Sequence, residues 1–148
     1  MKFWDSSALL PLLLEESHSQ AIKGIAKEDG QLVVWWGTPL ECRSAFARLK
    51  REAVITSSQE GELIELLDEL SSAWVEILAG ESVRKTAARL LSTHPLRAAD
   101  SLQLAAALIW SGTPVEKNEF VCLDEKLREA AHNEGFVVLP KKPISGDA

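Results

Sequence analysis

Four acidic residues stand among apolar neighbours: Asp5 in KFWDSSALL, Glu41 in TPLECRSAF, Asp100 in LRAADSLQL and Asp124 in FVCLDEKLR. Helix capping accounts for each one alone. Asp5 and Asp124 can serve as N-caps, Glu41 is the third helical residue of a capping box opened by Thr38, and Asp100 has capping-box spacing to Gln103. A cap stabilises by about 1 kcal/mol. Taken together the acids ask for more. Two carboxylates about 4–5 Å apart repel by roughly 3–4 kcal/mol at an effective dielectric of about 20. A helix dipole offsets only about 0.3–1 kcal/mol of that. A cluster of all four therefore needs protons or a cation. Oxygen-only donors, with no His or Cys among them, suit Mg²⁺ or Mn²⁺. A cation held in this way orients water, lowers its pKa and steadies charge on a phosphoryl oxygen, which is the chemistry of metal-assisted phosphodiester hydrolysis.

Other reactive side chains are poorly arranged for chemistry. The histidines, His18, His94 and His132, are scattered without ligand spacing, which argues against zinc. Cys42 falls in a helical pattern and Cys122 in a strand-like run, so both read as buried thiols rather than a disulfide or a nucleophile.

The acids share a position in the pattern of elements. Short apolar runs at Lys2–Asp5, Leu32–Trp36, Trp74–Leu78, Phe120–Leu123 and Phe136–Leu139 predict strands. Between them, helical periodicity predicts helices over Ser6–Glu15 (with Pro11 as a possible kink), from the Ser17-His18-Ser19-Gln20 capping box to Gly30, and from Thr38 as N-cap with Pro39 at the first helical position to Ala53. Further helices are predicted from the Thr56–Gln59 capping box to Ser72, over Ser82–Ser92, Leu96–Trp110, and Glu125–Asn133 with Gly135 as the stop. Gly112–Lys117 reads as a loop and residues 141–148 as a polar tail beyond a single domain of residues 1–140. Strands alternating with helices imply an α/β domain of three layers, α/β/α, around a mostly parallel sheet. In such a sheet the site lies beyond the carboxyl ends of the strands, near the point where strand order reverses. If the first and fourth strands are neighbours, Asp5 and Asp124 become adjacent there, and Glu41 and Asp100 can join them.

Composition narrows the partners. The chain of 148 residues is 46% apolar and 26% charged, which suits one globular domain. Only Lys2 is basic before Asp5, unlike a signal peptide, and no apolar run reaches the roughly 18 residues of a membrane span, so the expectation is a cytoplasmic soluble protein. A formal net charge of −6 opposes non-specific nucleic-acid binding, so any such substrate must find local basic groups or bridging cations.

The stretches FWDSSALLPLLLEE, PLECRSAFARL, LRAADSLQLAAAL and FVCLDEKLREAAHNEGF, in this order over most of the chain, resemble the PIN domain family, and in particular the VapC-like ribonuclease toxins of type II toxin–antitoxin systems. DSSAL alone is weak, but the combination is specific. The resemblance implies a PIN-like nuclease domain and a Mg²⁺- or Mn²⁺-dependent endoribonuclease. It also implies a homodimer with a small neutralising antitoxin as partner. It makes Asp5, Glu41, Asp100 and Asp124 the metal-binding, catalytic acids and Ser7 the hydroxyl that supports the first of them. The family commonly has Thr or Ser where this chain has Cys122. RNA as substrate comes from the resemblance; the residues themselves imply only a carboxylate metal site at a sheet edge.

Basic residues that could hold phosphates are Arg43, which shares the Glu41 segment and is the first candidate, Arg48, Lys50 and Arg51 on the same helix, Arg97 before Asp100, and Lys126 and Arg128 after Asp124. Trp4, Trp35 and Trp36 are expected in the core. Trp110 and the stripe Leu10, Leu13 and Leu14 are candidates for a partner surface, with the core as their default. Three other readings compete. A phosphoaspartate enzyme would need a second acid two residues after Asp5, where Ser7 stands. An RNA-processing PIN nuclease without an antitoxin, and a PIN-like module that only binds a partner, are the nearer alternatives.

Overall fold

The computed structural model describes residues 1–141. Strands β1 (Lys2–Trp4), β2 (Leu32–Trp35), β3 (Val75–Ile77), β4 (Glu119–Val121) and β5 (Val137–Leu139) form one sheet in the order β3-β2-β1-β4-β5, every neighbouring pair parallel. The helices are α1 (Ser6–Leu13), α2 (Ser19–Glu28), α3 (Thr38–Arg51), α4 (Ser57–Ser71), α5 (Glu81–Thr93), α6 (Ala98–Ser111) and α7 (Glu125–Asn133). The architecture is the three-layer α/β/α, PIN-like arrangement that the sequence implies, and its sheet is wholly parallel.

Strand side chains alternate between two cores. Trp4, Val34 and Val121 pack with Ala8 and Leu9 of α1, Ile22 of α2, Cys42 and Phe46 of α3, and Leu63 and Leu67 of α4. Phe3, Val33, Trp35 and Phe120 pack on the other face with Val83 and Leu90 of α5, the run Leu104–Ala107 of α6, and Leu127 and Ala131 of α7. Burial on both faces is why these strands read as continuous apolar runs rather than as alternating ones. Among the described residues no helix is long and apolar enough to cross a membrane. Of the expected polar tail, residues 142–148 lie outside the described residues.

Some local expectations are corrected. Gly37, not Thr38, is the N-cap of α3; Thr38 sits inside the first turn, fully buried. The box expected at Ser17–Gln20 does not form: α2 is capped by His18 without a side-chain bond. The Ser19 hydroxyl, in the first turn of α2, shares its one proton between the carbonyls of Pro11 (2.8 Å) and Leu14 (3.0 Å), closing the end of α1. These bonds matter because an unpaired buried carbonyl is costly. Trp36 is 56% exposed, since the alternation that buries Trp35 turns its neighbour outward. Trp110 packs its ring 6.3 Å from that of Phe3, against the second core.

Candidate active site

The chain winds from β1 outward through β2 to β3, then returns past β1 to β4 and out to β5, so strand order reverses between β1 and β4. Asp5 and Asp124 follow those two strands. The Asp5 backbone N–H donates to the Val121 carbonyl (3.0 Å), which ties the two strand ends together. Both acids are N-caps as well. Asp5 accepts from the Ser7 backbone N–H at 3.2 Å and Asp124 from that of Leu127 at 3.0 Å. Glu41 and Asp100 enter from the first turns of α3 and α6. Neither makes the capping box expected of it: Gly37 stands at the cap of α3 in place of Thr38, and α6 begins two residues before Asp100, with Arg97 at the cap position.

The four acids line one cleft of about 420 Å³ together with Ser6, Ser7, Leu10, Ser44, Ala45 and Arg48. An adjoining cleft of about 790 Å³ shares Glu41, Ser44, Arg48, Asp100 and Asp124 and adds Arg97 and Lys126. Thus Arg97 and Lys126 stand beside the acids, as their sequence positions suggest. Arg43 lines neither cleft and is exposed, because it lies two residues from Glu41 and points from another side of α3. Glu41, Ser44, Ala45 and Arg48 follow the i, i+3, i+4, i+7 spacing of one helical face, and that spacing is the signal that picks out Arg48.

Each acid is held differently. Asp5 is 3% exposed. Its Oδ2 accepts from the Ser7 hydroxyl and, at 3.5 Å, from the Cys122 thiol. Ser7 Oγ in turn accepts from the Leu123 backbone N–H at 3.0 Å, so this hydroxyl pins Asp5 to the end of β4. Glu41 accepts from Ser6 Oγ on Oε2 (3.0 Å) and from Gln103 Nε2 on Oε1 (2.9 Å). Burial pushes the Asp5 pKa up to about 6, with the nearby Glu41 charge adding to it and the Ser7 bonds opposing it. Burial likewise raises Glu41, with Asp100 contributing, and raises Asp100, with Asp124 contributing. The four charges therefore act on one another as a chain from Asp5 to Asp124. The thiols add no nucleophile: burial pushes Cys42 up to about 12 and Cys122 well above the ordinary thiol range. They are free, buried thiols, as expected.

The donor set matches a hard divalent cation in chemistry: carboxylates only, three of them with raised pKa values that a positive charge would bring down. Among the described residues no three His, Cys, Asp or Glu side chains are gathered closely enough to form a ready-made cage. Such a cage is not required by a cation that keeps several waters and takes only one or two carboxylates directly.

No protein-family model matches the chain, and no curated protein does. Solved structures do. A toxin–antitoxin complex from Klebsiella pneumoniae contains a chain of the same fold, with TM-score 0.66 at 16% identity over 97% of this chain and 100% of that one. FitAcB from Neisseria gonorrhoeae gives TM-score 0.69 at 16% identity over 95% and 98% of the two chains. FitAB bound to an IR36 DNA fragment gives 0.66 at 15% identity over 94% of each. At these identities the likeness is one of fold.

Proposed function

We propose that the chain is a VapC-like PIN-domain toxin: a Mg²⁺- or Mn²⁺-dependent endoribonuclease, acting in the cytoplasm as a homodimer and held in check by a small antitoxin. The observation that carries the nuclease reading is the cleft itself. Four carboxylates from four segments meet at the reversal point of a parallel sheet, with Arg48, Arg97 and Lys126 along the same walls. The likeness to toxin–antitoxin complexes over nearly the whole chain supports the toxin and antitoxin reading.

Asp5, Glu41, Asp100 and Asp124 would hold the cation, directly or through water. Once bound, it supplies an activated water and charge neutralisation at a phosphoryl oxygen. Arg48, Arg97 and Lys126 place the RNA backbone, because phosphate contacts set register. Ser7 and Ser6 fix the orientation of Asp5 and Glu41 through the bonds described above. No histidine lines the cleft to act as general base.

The test is cleavage of defined RNAs with and without Mn²⁺, comparing the wild type with Asp5→Asn. Cleavage by the wild type that is lost in the variant and in excess EDTA is the expected result. A fully active Asp5→Asn protein, or full activity in EDTA, overturns the nuclease reading. The antitoxin reading fails if no small protein encoded beside this chain binds it or rescues growth on co-expression.

A further inference from the structure

Gln103 lies in the middle of α6, fully buried, one turn beyond Asp100. Its amide nitrogen spends both protons across the gap to α3: one on Thr38 Oγ1 (3.0 Å) and one on Glu41 Oε1 (2.9 Å). Among the described residues its carbonyl oxygen is buried with no partner. That pairing is informative. Turning the amide over would set its oxygen against the Glu41 carboxylate, where it could only repel. The fold therefore keeps a buried orphan acceptor so that an N–H stays on Glu41, and buried polar groups left unpaired are otherwise avoided. A side chain chosen only to join α6 to α3 would be apolar or would have both of its ends satisfied.

The geometry points to Gln103 as a positioning residue for the metal-site carboxylate Glu41. By occupying Oε1 from the protein side, it directs the remaining lone pairs of Glu41 toward the cleft. This inference rests on the reading of the cleft as a cation site and assigns to α6 a role besides that of Asp100. Partners that orient a ligating carboxylate typically govern metal affinity or activity by about 10–100-fold.

Mn²⁺ binding, measured by calorimetry without RNA, tests this independently of turnover, and cleavage kinetics follow. Gln103→Met removes the donor at similar volume. It should weaken Mn²⁺ binding by about 10-fold or more and lower kcat at saturating RNA, with KM for RNA nearly unchanged. Thr38→Val removes only the other acceptor. It should lower the melting temperature while leaving the Mn²⁺ affinity within about twofold, since a structural link and a positioning contact separate there. Gln103→Leu serves if Gln103→Met does not fold: it too removes the donor to Glu41 and adds no charge, and the same weakening is expected. Wild-type affinity in Gln103→Met, or in Gln103→Leu, overturns the inference. So does an equal loss in Thr38→Val, which would make the link merely structural. Glu41→Gln is the reference. If the wild type binds no Mn²⁺, or if Glu41→Gln binds as well as the wild type, the cation-site reading falls and takes this inference with it; if Glu41→Gln weakens binding and the Gln103 variants do not, only the inference falls.

Discussion

Asp5 caps α1 through the Ser7 backbone N–H and is almost wholly withdrawn from water. Its folded-state pKa of about 6 stands above the ordinary carboxylate value, so the folded chain binds this proton more tightly than the unfolded one. Ionising Asp5 therefore costs folding stability. The cost is absent below about pH 4, grows through the interval up to pH 6, and is complete above it. Asn at this position keeps an oxygen for the cap and carries no charge. In EDTA, Asp5→Asn should be more stable than the wild type at pH 7.5, by up to about 3 kcal/mol, and the gain should shrink toward zero near pH 4. Urea unfolding at both pH values measures this; an unchanged or lowered stability at pH 7.5 would show that Asp5 is not the strained carboxylate its burial implies. On the proposed cation site, saturating Mn²⁺ should narrow or reverse this difference, because the wild type then gains more from the cation. The acids were legible in the sequence as capping positions after strands, and for Asp5 and Asp124 capping and cleft lining turn out to coexist. Gln103 was legible only as a capping-box partner for Asp100. Its actual targets, Thr38 and Glu41, lie 65 and 62 residues away, beyond any local spacing rule.

Among the elements, α4 opens on the complete reciprocal cap foreseen from TSSQ: Gln59 N–H donates to Thr56 Oγ1 at 3.1 Å, and Thr56 N–H to Gln59 Oε1 at 2.8 Å. Thr56→Ala should lower stability by about 1 kcal/mol in chemical denaturation and leave RNA cleavage unchanged, since α4 lines neither part of the acidic cleft. Lost cleavage in a folded Thr56→Ala protein would mean that α4 reaches the site. Local signals of this kind, with the apolar runs, made all five strands and seven helices readable to within a few residues. The misreadings occur where a distant group competes for a local one. Thr38 accepts from α6 instead of capping α3. Arg43 lies off both clefts for a geometric reason, because nearness in sequence to Glu41 is not nearness on the helix, whereas Arg48 is two turns along the same face.

Over the whole molecule, a net charge of −6 sets the terms on which a polyanion can approach. Among the described residues, the cleft offers Arg48, Arg97 and Lys126 to such a polyanion, beside its acids. RNA binding should accordingly weaken steeply with salt, and Arg97→Ala should reduce the slope of log affinity against log salt by about 0.7, the contribution of one phosphate contact on a single strand. Filter binding across a salt series with Mn²⁺ held constant checks this; an unchanged slope would place Arg97 off the RNA path. The sheet also carries a consequence in time. β1 is flanked on one side by β2, met early, and on the other by β4, more than a hundred residues later, and Leu123 closes on Ser7 across a separation of 116. A chain emerging from the ribosome cannot assemble its cleft until β4 and Asp124 have appeared, more than a hundred residues after β1. Pairings that span such distances form slowly and late. The order of translation thus keeps the acids of the cleft apart while the chain is being made, and any fragment ending before Asp124 is born without the site.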